Sequence, residues 1–324
     1  MATFAACGAR TGFDDLVEPE AGVDAALDVH VDVRADAARE AEAAPDVHEA
    51  GIDVEAGQDV VFRDVGVLDI CPDAGSTLVY VLTGQNNLYS FYPPTLTFTK
   101  IGAVVCPGSV TPFSMAVDRR GIAYSVFLDG RLFRVDTASG ACQATKFPPQ
   151  PEAGPFSTFG MGYVANGVDG GDGGETLFIA DAVVGNGVNT KSDSLGLGFI
   201  DTTTYAKPGF VAPFTPPIPG PELTGTGDGR LYAFYTNATA PGSHIVEVDK
   251  ATGNILQDYP LKVGDSADAY AFAFWGGYFW VFTDASLTNP TTVTRFSPTD
   301  LSEVNVTTMP ETIVGAGVST CAPQ

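Results

Sequence analysis

Histidine is the scarcest chemically useful residue in this chain, with three copies, His30, His48 and His244. The first two stand in an N-terminal stretch too poor in apolar residues to hold a side chain in place. A Ser-His-Asp apparatus or a histidine-rich zinc site needs imidazoles held by a rigid frame, so neither is expected. His244, at the entry to a strand, reads as a hairpin surface residue. Positive charge is also short: 16 Lys and Arg face 39 Asp and Glu, a net charge of −23. Residues 59–324 taken alone hold 25 acidic and 13 basic side chains. A surface of that sign repels phosphate backbones, which excludes nucleic acid as a partner. Glutamate in the same region is limited to Glu152, Glu175, Glu222, Glu247, Glu303 and Glu311. Glycoside hydrolysis needs two carboxylates about 5 or about 6.5–9.5 Å apart across a pocket, and no motif here sets two at one pocket.

Residues 1–58 lack Tyr and Trp, have only Phe4 and Phe13 as aromatics, and carry fourteen acidic residues against three arginines. Such a segment has too little apolar area to offset its chain entropy and is expected to be a disordered acidic linker. A short helix over ADAAREAEAA is conceivable, but Pro45 stops it, and isolated helices below about 12–15 residues are marginal in water.

What is present is repetition. An alternating apolar strand, a turn and a second strand recur as LYSFYPPTLTFTKIG from Leu88, LFRVDTASGACQATKF from Leu132, LGFIDTTTYAKPGFV from Leu197, IVEVDKATGNILQDYPL from Ile245 and VTRFSPTDLSEVNV from Val293. The intervals are 44, 65, 48 and 48 residues, so the third unit holds an insertion. An all-strand repeat of this period predicts an all-β β-propeller, because one four-stranded sheet cannot bury both faces until neighbouring sheets stack around an axis. Residues 59–324 accommodate five blades, with six as the alternative. Two further strands precede each repeated pair. In the second unit they are FSMAVD and IAYSVF, joined to LFRV by Asp129-Gly130, a strong hairpin signal. In the first unit they are VGVLDI and TLVYVLT. TIVGAGVSTC, after the fifth unit, is an inner-strand pattern with no unit left to start, which suits a clasp closing the ring.

VDTASGACQ at Val135 and VDKATGNIL at Val248 resemble the Asp-x-x-Thr/Ser-Gly hairpin of secreted bacterial β-propellers with quinoprotein-like or WD-like repeats. The resemblance covers residues 59–324 and implies the fold without a function. The Trp that docks neighbouring quinoprotein blades after this hairpin is missing, so no quinone cofactor is implied.

The chain has five cysteines. Cys106 follows the outer strand of the first unit, and Cys142 lies on the equivalent strand of the second, so blade stacking predicts a Cys106–Cys142 bridge. That leaves Cys71 with Cys321, near the two ends of the ring; the other reading is four buried free thiols. Cys7 stands in TFAACGART, where Ala-Ala-Cys-Gly resembles a bacterial lipobox whose cysteine becomes the lipidated first residue of the mature protein. Phe4 occupies the usual Leu position, and the charged and apolar regions of a signal peptide do not precede it; the alternative is an ordinary thiol in the linker. The lipobox reading implies a membrane anchor through Cys7 and a bacterial cell-envelope location, periplasmic or surface-exposed.

Long connections such as VVGNGVNTKSDSLG, DASLTNPTT and APFTPPIPGPE gather on the face where the inner strands begin, and long loops on a rigid scaffold are where binding sites concentrate. Phe156, Phe159, Glu222, Asp265, Asp268, Tyr270 and Asp284 are the candidates there for a protein or carbohydrate ligand. Asn166, Asp169, Asp172 and Glu175 place oxygens along a Gly-rich stretch in a way that suits Ca²⁺, although Gly-Asp repeats also make plain polar turns. Trp275 and Trp280 alternate on strands as inter-blade core or, in the other reading, as a sugar platform. The expectation is a non-enzymatic binding or scaffold module, the alternative being a propeller hydrolase, lactonase-like and metal-dependent or a glycosidase, working at the axial pocket.

Overall fold

The computed structural model describes residues 71, 77–108, 111–148, 152–167, 174–181, 184–185, 188–189, 194–236, 242–264, 267–287 and 290–324. Cys7, Asp169, Asp172, Asp265 and the linker lie outside them. Five antiparallel four-stranded sheets make up the described chain. The first holds β1 (Val79–Thr83), β2 (Asn87–Tyr92) and β3 (Thr97–Ala103); the second β4 (Pro112–Val117), β5 (Ile122–Phe127), β6 (Leu132–Asp136) and β7 (Cys142–Ala144). The third comprises β8 (Phe159–Ala165), β9 (Glu175–Asp181), β12 (Leu197–Ile200) and β13 (Gly209–Ala212), with a separate small hairpin of β10 (Val184–Gly185) and β11 (Val188–Asn189) in its insertion. The fourth is β14 (Glu222–Gly225), β15 (Leu231–Thr236), β16 (Ser243–Val248) and β17 (Ile255–Leu261), and the fifth β18 (Ala269–Trp275), β19 (Tyr278–Asp284), β20 (Thr291–Phe296) and β21 (Glu303–Met309). The last strand, β22 (Ile313–Val318), returns to the first sheet and pairs with β1.

The hydrophobic clusters explain why five sheets are needed. There are five, and each joins two adjacent blades: Tyr124 and Val126 meet Phe159 and Met161 between blades two and three, while Phe91 meets Trp280 and Phe282 between blades one and five. The remaining three clusters fill the other junctions. Strands such as β5 and β15 are buried at every position, because a blade has a neighbour on each face. Inner strand β22 lies against β4 and β18, β4 against β8, and β8 against β14, which meets β18. The ring closes at five, not six.

At the hub the strands approach too closely for side chains. A Cβ built on Gly160 would lie 2.1 Å from Pro221 O, and one on Gly315 2.9 Å from Met115 N. Backbone therefore packs on backbone across blade boundaries.

Closure follows the predicted clasp, with one correction. The inner strand of blade one is β22 and not VGVLDI; residues 65–70 lie outside the described residues, and the edge of β1 they were expected to occupy is hydrogen-bonded to β22. Both disulfides form as expected. Cys71–Cys321 and Cys106–Cys142 each span 5.1 Å between Cα atoms. Two such bridges in a ring with its own large core are consistent with an oxidising, extracellular or periplasmic compartment. Among the described residues no helix is long and apolar enough to cross a membrane.

Candidate functional site at the two mouths of the ring

Inner strands begin at one mouth of the ring, and acidic residues collect there. Glu222 opens β14, is 5% exposed, and its Oε2 accepts a 2.7 Å hydrogen bond from Ser114 Oγ. Ser114 belongs to blade two and Glu222 to blade four, so this bond passes the start of blade three close to the axis. Burial pushes the Glu222 carboxyl well above the usual carboxylate range, and hydrogen bonds from Ser114 and the Met161 backbone offset this only in part. Asp284 ends β19 and is 2% exposed. Its Oδ2 accepts from Thr312 Oγ1 at 2.7 Å and its Oδ1 from Ser286 N at 3.0 Å, which ties blade five to the start of the clasp strand.

Asp181 ends β9 as Asp284 ends β19, yet sequence reasoning passed over it. The shared signal was the terminal Asp of ETLFIAD and YFWVFTD. Its Oδ1 accepts from Ser194 Oγ at 2.6 Å and Gly196 N at 3.2 Å, while the buried Oδ2 has no partner among the described residues. Phe156 and Phe159 are buried in the cluster between blades two and three. Asp268 is exposed, and its backbone N–H donates to Asp284 O. The half-buried Tyr270 donates its hydroxyl to Gly220 O at 2.8 Å. The structure thus brings Asp268, Tyr270 and Asp284 to one blade, with Glu222 on the next blade. His244 sits at the periphery, its Nδ1 2.9 Å from Asp258 Oδ1 and its ring stacked on Tyr235.

The opposite mouth holds Glu175. Its Oε1 accepts from Arg119 N at 2.7 Å and its Oε2 from Thr320 Oγ1 at 2.9 Å, and Arg119 Nε donates to the same Thr320 oxygen at 2.8 Å. Asn166, grouped with Glu175 on sequence spacing, stays within its own hairpin, where its Oδ1 accepts from Thr176 Oγ1 at 2.7 Å. Among the described residues no three His, Cys, Asp or Glu side chains converge closely enough to hold a metal ion.

Burial raises the Glu175 carboxyl to about 7, with nearby Asp118 adding to the rise and the Arg119 N–H opposing it. The folded state therefore holds this proton more tightly than the unfolded chain does. The stability it contributes is complete below the unfolded value of 4.5 and is lost as pH rises through about 7. The difference amounts to about 3 kcal/mol at most. Urea midpoints measured from pH 5 to pH 8 should fall with rising pH in the native protein and fall less in Glu175→Gln. Parallel profiles would show that Glu175 is not buried as described.

No protein-family model and no curated protein matches the chain. Solved structures do resemble it. The hydrazine synthase of Kuenenia stuttgartiensis aligns at 13% identity and a TM-score of 0.38 over 76% of this chain and 69% of that one. The Dos1 propeller aligns at 11% identity and 0.34, over 68% and 52%. An exo-β-1,3-galactanase from Clostridium thermocellum aligns at 13% identity and 0.41, over 62% and 52%.

Proposed function

We propose that the chain is a non-enzymatic binding or scaffold module of the bacterial cell envelope, anchored to the membrane through a lipidated Cys7 and an acidic linker over residues 1–58. Its ligand, a protein or a carbohydrate, meets the face where the inner strands begin, around Asp268, Tyr270 and the long loops. One observation carries the non-enzymatic reading: the carboxyls of Glu222 and Asp284 are buried and hydrogen-bonded within the ring. A general acid or base must reach the proton it transfers in a substrate, and these groups are turned inward.

The hydrolase reading keeps one point in its favour, the Oδ2 of Asp181, which has no partner among the described residues. Chromogenic glycosides and lactones, assayed with and without Ca²⁺, separate the two. The module is expected to show no turnover above buffer. Turnover that disappears in Asp181→Asn would replace it with the hydrolase.

A further inference from the structure

A cavity of about 250 Å³ opens between blades one and five, where β18 turns into β19 and β2 into β3. This is the face where inner strands end, opposite to the long loops. Its lining is mixed: Pro93, Pro94, Leu96, Trp275, Trp280 and Val306 supply apolar side chains, and Tyr278 and Arg295 supply polar ones. The polar groups one would expect to serve a ligand here are already committed. Trp275 Nε1 donates to Thr77 O at 2.7 Å, Trp280 Nε1 to Trp275 O at 3.1 Å, and Gly276 N to Pro323 O at 2.8 Å.

Two polar groups remain, the Tyr278 hydroxyl and the Arg295 guanidinium, whose centre lies 4.9 Å from the centroid of the Tyr278 ring. Arg119, Arg120, Arg131 and Arg230 each have a carboxylate within 3.9 Å. Arg295 has none among the described residues, in a chain with more than twice as many acids as bases. A guanidinium seated on an aromatic face keeps its edge free, and that edge forks a carboxylate through two parallel hydrogen bonds.

We propose that this cavity binds a small aromatic carboxylic acid, its carboxylate taken by Arg295 and its ring by the Trp and Pro walls. A sugar fits worse, because its several hydroxyls would leave water for a lining that offers only two polar side chains, Tyr278 and Arg295. The volume is below the roughly 300–1,000 Å³ of pockets for drug-sized ligands, so the occupant is about one ring with a short side chain. The site is separate from the face assigned to the binding module, and it stands or falls by itself.

The chain has two tryptophans, and both line this cavity, so intrinsic fluorescence excited at the indole edge reports on it alone. The full chain is titrated with phenylacetate, with 2-phenylethanol, which lacks the charge, and with glucuronate, which puts the carboxylate on a hydroxylated ring; melting temperature is read in parallel. Phenylacetate should change the emission saturably at millimolar concentration and bind at least about tenfold more tightly than either control, the least expected of a charge-assisted hydrogen bond. Arg295→Gln should remove that preference and leave the phenylethanol response as it was. Tyr278→Leu, which keeps the charge but loses its seat, should weaken phenylacetate binding. Should Arg295→Gln not fold, the comparison of phenylacetate with phenylethanol on the native chain still decides. The proposal is overturned by a flat phenylacetate titration, by equal binding of the charged and uncharged rings, or by tighter binding of glucuronate.

Discussion

Replacing Gly160 by alanine is expected to destroy the folded ring. Gly160 is the second residue of β8, and the added Cβ would lie 2.1 Å from Pro221 O, 2.6 Å from Glu222 Cα and 2.9 Å from Pro221 C. All three are backbone atoms, so no rotamer change relieves the clash. Moving β14 away is resisted from the far side, because Glu222 is bonded to Ser114 across the hub. The inner strands lie each against the next, so separating β8 from β14 loosens contacts around the whole circle. Ordinary overpacking costs about 1–3 kcal/mol where side chains can shift. Here the cost should exceed about 4 kcal/mol, a large part of the roughly 5–15 kcal/mol that holds a domain together. Gly276→Ala is the control. Its Cβ meets nothing within 4 Å, and its backbone at φ +65° charges only the left-handed penalty, about 1–2 kcal/mol. Far-UV circular dichroism and urea midpoints compare the two. Equal losses would mean that the hub is not close-packed.

The architecture was legible because each blade repeats one pattern and each inter-blade junction demands the same apolar residues. The IAYSVF strand, buried at every position, signals a neighbour on both faces. The cystine pairs could be read for a related reason, since Cys106 and Cys142 occupy corresponding places on adjoining blades. The choice of inner strand for blade one was not legible: VGVLDI and TIVGAGVSTC have similar apolar patterns, and only the geometry of closure distinguishes them. Nor was the hub, because FGMGYV shows two glycines without showing what stands opposite them. Local spacing grouped Glu175 with Asn166, but its partners Arg119 and Thr320 are 56 and 145 residues away. Sequence reasoning had Trp280 as core, which it is at 4% exposure. It could not see that turns of blades one and five leave a cavity beside it. Arg295 is unremarkable in the sequence, since lacking a carboxylate partner among the described residues is a property of three dimensions.

Removing the Cys71–Cys321 bridge is expected to destabilise the protein more than removing Cys106–Cys142, and to do so at a different place. The first bridge spans 250 residues of sequence and the second 36. Chain entropy alone assigns about 5 and about 4 kcal/mol to loops of these lengths. Position widens the gap. Cys106–Cys142 joins outer strands of neighbouring blades that already share a hydrophobic cluster. Cys321 instead follows β22, the strand through which the end of the chain completes blade one and contacts β4 and β18. Once the bridge is gone, β22 keeps its ladder to β1, its inter-blade packing and the hydrogen bonds of Thr312, Ile313 and Thr320, but loses its covalent tie to Cys71, so this strand should open ahead of the others. Paired Cys→Ser variants should show this in amide exchange. Loss of Cys71–Cys321 should speed exchange in β22 and in its partner β1 first, whereas loss of Cys106–Cys142 should speed it around β3 and β7 and leave β22 protected. Unchanged protection of β22 without its bridge would show that strand pairing alone closes the ring, leaving the disulfide as a constraint on the unfolded chain only.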